Sequence, residues 1–150
     1  MALLNDQDQA FLRKRFAEEL VNDVRLVFFA PTLGGLTIPG EDAQIAEYTL
    51  AILKEVASLS DRITVEEHSM TSEAGTAAQY GVLRSPATAV IGAEDYGVRY
   101  YGMPGGYEFL TLIEVIIDVS KGRGAVSAES AQVLGALPAD VHLQVFVTPT

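Results

Sequence analysis

Two histidines, the carboxylate pairs Glu41-Asp42, Glu66-Glu67 and Glu94-Asp95, and one Ser-Pro step are the residues whose chemistry could be used here, and cysteine is absent. Without cysteine there is no disulfide framework, no thiolate nucleophile and no thiolate-bound zinc. On a strand, Glu66 and His68 would share a face, as two metal ligands must. No third ligand stands nearby, so His68 reads as a surface histidine and no metal site is assigned. Glu41-Asp42, Glu66-Glu67 and Glu94-Asp95 fall at element ends or beside turns, where a carboxylate is solvated by default. Gly34-Gly35 and Gly102-Met103-Pro104-Gly105-Gly106 lack the spacing and flanks of a dinucleotide or phosphate loop. No nucleophile–base pair is legible and no cofactor is expected.

The elements that hold these residues follow from composition and periodicity. At 150 residues the chain suffices for one domain, or one domain and part of a second, and its 49% hydrophobic content is that of a folded protein. Net charge is −10, with much of the acidic excess between Glu41 and Asp95 against only Lys54, Arg62 and Arg84. Such a surface repels phosphates, so no nucleic acid and no anionic membrane is expected as a partner. The N-terminus lacks the basic and apolar regions of a signal peptide, and no apolar run approaches the roughly 18 residues of a spanning helix. A cytoplasmic protein is expected.

Asn5 caps a helix over 6–21, with Phe11, Leu12, Phe16 and Leu20 at helical spacing. Val24–Ala30 is an apolar, β-rich run that reads as a central strand. The Pro- and Gly-rich stretch Pro31–Gly40 is a long loop. A second helix spans 42–58, a strand 63–70, and a short helix 72–80 ended by Gly81. Strands over 87–91 and 98–101 form a hairpin across a short turn. An apolar helix over 107–120 follows, and Ser127 caps a last helix running to about Leu137.

After the first helix the order is β-α-β-α-β-β-α. This predicts a four-stranded mixed sheet flanked by helices, the thioredoxin-like α/β topology with an extra N-terminal helix. In that topology two places carry information. The start of the second helix is the redox position, where unpaired N–H groups and the dipole stabilise a thiolate. Here it reads Ala43-Gln44-Ile45-Ala46. Ser85-Pro86 opens the third strand, where a cis-proline loop faces that helix. Ser85, Pro86, Gln44 and Ile45 are therefore the candidate substrate-binding residues.

One internal echo stands out. Val24-Arg25-Leu26-Val27-Phe28-Phe29-Ala30 is matched by Val141-His142-Leu143-Gln144-Val145-Phe146-Val147, each followed by Pro and Thr. The repeat reads as the first strand of a second copy of the same unit. Residues 1–137 then form one thioredoxin/glutaredoxin-like unit, and residues 138–150 form a linker end and the first strand of a truncated second one. Lacking its neighbours, that strand is expected to fold back onto the first sheet or to pair with another copy as a homodimer.

Arg84-Ser85-Pro86-Ala87-Thr88, the run Tyr96–Phe109 with its Gly102-Met103-Pro104-Gly105-Gly106-Tyr107-Glu108-Phe109, and Ile116-Ile117-Asp118-Val119-Ser120 resemble a known family. It is that of the two-unit protein disulfide oxidoreductases of archaea and thermophilic bacteria. Leu4-Asn5-Asp6, Leu59-Ser60-Asp61-Arg62-Ile63 and the ending Val145–Thr150 fit the same pattern, so the resemblance covers nearly the whole chain. The N-terminal part of the alkyl hydroperoxide reductase flavoprotein subunit is similar too, and it also has a first unit without its cysteines. The resemblance places the Cys-x-x-Cys of a first unit on Ala43 and Ala46, so both thiols are lost. It implies a redox-inactive unit that packs against an active second unit, whose Cys-Pro-x-Cys would follow Thr150. The other reading is a peptide- or protein-binding module without catalysis, in which an extended peptide pairs with the backbone at Ser85.

Overall fold

The computed structural model describes residues 3–31, 41–124 and 126–147. Helix α1 spans Asp6–Glu19, and Asn5 caps it by accepting the Asp8 amide at 2.9 Å. It ends two residues before the expected Val21. Leu20 turns to an extended conformation, which keeps its side chain in the core and frees the next residues to meet Ser120. Strand β1 (Val24–Ala30) is flanked by β2 (Ile63–Ser69) in parallel and by β3 (Ala87–Ile91) antiparallel, and β4 (Arg99–Tyr101) pairs antiparallel with β3. The sheet order is β2-β1-β3-β4.

Helix α2 (Glu41–Ala57) makes the crossover from β1 to β2, so its N-terminal end lies at the end of the sheet where β1 finishes. Helix α3 (Ala74–Gln79) is shorter than expected. Ser69 Oγ accepts the amides of Thr71 and Ser72 at 3.3 and 3.2 Å, which holds these two residues in a turn rather than a helix. Helix α4 (Tyr107–Lys121) ends on Gly122 at φ 67°, a left-handed cap that glycine takes without Cβ strain. The Pro31–Gly40 loop lies outside the described residues beyond Pro31 itself.

Alternation along β1 sends its side chains into two separate cores. Val24, Leu26, Phe28 and Ala30 join Leu12 and Phe16 of α1, Leu53 and Val56 of α2, and Leu112, Ile113 and Ile116 of α4. Val27 and Phe29 face the other way, against Ala77 of α3, Val82, and Ala87, Ala89 and Ile91 of β3. The hairpin between β3 and β4, joined through 92–98 rather than by the short turn expected, leans on Gly92, where a Cβ would lie 2.6 Å from the Val119 carbonyl oxygen.

The C-terminal part departs from expectation. Helix α5 (Ala128–Gly135) is capped by Ser127 as expected, but it buries no side chain. Every described residue from Val126 to Val147 is exposed. Val141–Val147, expected as a strand that folds back onto the sheet or pairs with another copy, is not a strand in this single chain and does not join its sheet. Strand geometry needs a pairing partner, and the four-stranded sheet is complete without this segment.

Candidate functional site

The peptide bond between Ser85 and Pro86 is cis, as expected from the topology. Phe29 pairs with Ala87, so the Ser85-Pro86 step falls beside the C-terminal end of β1, the end from which the chain passes to α2. Pro86 is buried, and its carbonyl accepts the Gly102 amide at 2.9 Å, which ties the loop to the strand after it. Ser85 is half-buried, and among the described residues its backbone N–H and C=O have no hydrogen-bond partner. Leu83 is 88% exposed, while its neighbour Val82 anchors the loop in the second core.

In the first two turns of α2, Ala43 and Ile45 are half-buried, Gln44 is exposed and Ala46 is buried at 6% exposure. The helix begins at Glu41, one residue before the expected start, so Ala43 and Ala46 are its third and sixth residues. The Ile45 carbonyl accepts the buried Thr49 hydroxyl at 2.7 Å, satisfying a group that would otherwise be orphaned inside the core. The four residues carry no nucleophile. With no thiol, the exchange reaction that attacks a disulfide sulfur has no starting group in this chain.

His68 is a correction to the surface reading. Its side chain is 22% exposed, stacked on Phe29 with ring centroids 5.4 Å apart. Phe29 and His68 are direct partners across β1 and β2, which brings the two rings onto one face. Nδ1 of His68 lies 2.9 Å from Glu73, and the other Glu73 oxygen accepts the Ser69 amide at 2.9 Å. His68, first, and the Ser69 amide hold the Glu73 carboxyl below its ordinary value of 4.5. The Nε2 of His68 looks toward the Glu66 carboxylate at 3.9 Å rather than toward a hydroxyl. This is an oriented histidine without a nucleophile, and among the described residues no group of three metal-ligating side chains exists.

Arg84 has a role that local sequence does not reveal. Its guanidinium carbon lies over the Tyr101 ring, 4.7 Å from the centroid, next to the Ser85-Pro86 step. Its position beside that step is the one signal the sequence offers, because the ring beneath it comes from β4.

A central β1 with β2 parallel at its outer side, an antiparallel β3–β4 hairpin opened by a cis-proline on its other side, and helices on both faces define a thioredoxin-like fold. No family model matches the sequence, and no curated protein does either. Solved structures do match. The N-terminal N/C domain of the alkylhydroperoxide reductase AhpF from Enterococcus faecalis superimposes with a TM-score of 0.73 at 23% identity, over 90% of this chain and 61% of that one. A protein disulfide oxidoreductase from Aeropyrum pernix gives 0.72 at 24% identity, over 91% of this chain and 56% of the other. A mutant form of the Enterococcus AhpF gives 0.71 at 22%, over 91% and 62%. At these identities the likeness establishes the fold. The chain spans about three fifths of the length of each of these structures.

Proposed function

We propose that this chain is a redox-inactive thioredoxin-like unit of a protein disulfide oxidoreductase, with Ala43 and Ala46 standing where an active unit carries its two thiols. The observation that carries the reading is the likeness, over nine tenths of this chain, to a longer protein disulfide oxidoreductase and to the alkylhydroperoxide reductase AhpF domain, combined with the absence of cysteine. In this reading the unit is structural. It packs against and orients a second thioredoxin-like unit that performs thiol–disulfide exchange. The exposed α5 and the apolar segment Val141–Val147 fit a chain that continues into such a unit. The test is the coding sequence after Thr150. A Cys-Pro-x-Cys motif immediately downstream is expected, and a stop codon there contradicts the proposal.

A second reading rests on Ser85. Among the described residues its backbone has no partner, and beside a cis-proline it is a site at which an extended peptide can add as a strand, making the chain a peptide- or protein-binding module. The two readings are compatible, since a scaffold unit can also hold part of a substrate protein. Perturbation of the Ser85 amide resonance by an extended peptide would support this reading, and no perturbation by any such peptide would remove it.

A further inference from the structure

We infer that Arg84 gives the Ser85 strand-addition site a preference for peptides carrying a carboxylate, an inference that rests on the peptide-binding reading above. Most other cations of the chain are already paired. Among the described residues Arg15, Arg25, Lys54, Arg62, Arg99 and Lys121 each hold a carboxylate between 2.5 and 3.2 Å away. In a chain with twice as many acids as bases, such pairing is the default. Arg13, Arg84 and Arg123 depart from it, and of these three only Arg84 adjoins Ser85. Among the described residues Arg84 has no carboxylate partner, and its contact is the face of Tyr101. A guanidinium held over a ring face is restrained in place, and among the described residues none of its N–H groups has a hydrogen-bond partner, so it is open to a carboxylate through two parallel hydrogen bonds. Arg84 is also covalently next to Ser85, whose N–H and C=O have no partner among the described residues and would pair with the peptide. A side chain flanking the paired peptide residue is thus brought to the guanidinium edge. The net charge of −10 opposes an anionic ligand at long range, but at physiological salt that repulsion is screened beyond about 8 Å while the direct contact is not.

The test is an amide-resonance titration of the full chain in about 0.15 M salt, the ionic strength at which the screening length is about 8 Å. Two probe peptides are used, acetyl-Val-Thr-Glu-Thr-Val-amide and its Glu→Gln counterpart. Both should shift the Ser85 amide, with the Glu peptide binding about fivefold tighter, the size of an exposed ion pair of good geometry. Arg84→Gln should abolish that difference and leave the Gln peptide unchanged. Arg123→Gln, which removes an exposed arginine of equal charge at the far end of α4, should preserve it. Equal binding of the two peptides to the unaltered chain, or a preference that survives Arg84→Gln, overturns the inference and leaves strand addition standing. Failure of both peptides to shift Ser85 overturns the peptide-binding reading itself.

Discussion

Ala43 and Ala46 stand three residues apart across the first two turns of α2, the first half-buried and the second sealed in the core with 6% exposure. That difference is useful to a dithiol: an accessible sulfur attacks and a sheltered one resolves. The position of both at a helix start would favour a thiolate, tempered by the adjacent acidic residues Glu41 and Asp42 in the sequence. We therefore expect Ala43→Cys combined with Ala46→Cys to close a disulfide, because Cys-x-x-Cys spacing at a helix start brings the sulfurs within bonding reach. Mass spectrometry with and without a reductant, after thiol alkylation, reads this directly. Two free thiols under oxidising conditions would mean that the lost site lies elsewhere.

Ser120 is buried at the end of α4 and holds the turn between α1 and β1. Its hydroxyl accepts the amides of Val21 and Asn22 at 2.9 and 3.0 Å and donates to the Asn22 carbonyl at 2.6 Å. Ser120→Ala strips those bonds without removing apolar packing. It should lower stability by roughly 1–2 kcal/mol in urea unfolding. A loss indistinguishable from zero would show that water replaces the hydroxyl without cost.

Thr88 on β3 presents the opposite case. It is buried at 1% exposure, and its hydroxyl has no hydrogen-bond partner among the described residues. Thr88→Val keeps the shape and removes the orphaned group. We expect the thermal midpoint to rise, by an amount equivalent to about 1 kcal/mol. A fall of that size would reveal a partner for the hydroxyl.

The course of the central elements was legible in the sequence because periodicity and capping are local. Asn5, the β-rich run Val24–Ala30, and the hairpin from Ala87 to Tyr101 each announced their element within a few residues. The order of elements then led to the mixed sheet, and the Ser85-Pro86 step to the cis bond. What was not legible depends on partners distant in sequence. The burial of His68 comes from its pairing with Phe29, and the ring contact of Arg84 from Tyr101 on another strand. Val141–Val147 shows the converse. Its composition spells a strand as clearly as β1 does, but no partner strand stands beside it, and composition alone does not make a ladder.

Acid should weaken the packing of α1 on α4. Arg15 bonds Glu19 at 2.6 Å and Glu114 through both oxygens at 2.6 and 2.8 Å, and holds both carboxyls below their ordinary value of 4.5. A carboxyl with a depressed folded-state value contributes stability that is present above its ordinary value and lost as pH falls through the depressed one. The urea midpoint should therefore hold from pH 7 to about 5 and fall below about 4.5. Arg15→Met should lower the midpoint at pH 7 and flatten that acid fall. An equally steep fall in the variant would assign the acid sensitivity to other pairs, such as Asp95 with Arg99.

The exposed C-terminal segment should control association rather than folding. Val141, Leu143, Val145, Phe146 and Val147 are all exposed, a run of β-prone apolar residues open to pairing with a second copy. A chain ending at Ala139 should keep its thermal midpoint and lose concentration-dependent self-association in light scattering. Identical masses for the two chains at every concentration would show that the segment is idle.

The central claim is that this thioredoxin-like unit has lost its own thiol chemistry at Ala43 and Ala46 and kept the scaffold. Reduction of insulin, with dithiothreitol as the electron source, tests it most directly when run on the unaltered chain and on the Ala43→Cys, Ala46→Cys variant. No acceleration over dithiothreitol alone is expected for the first, and measurable turnover for the second. Turnover by the unaltered chain would contradict the claim.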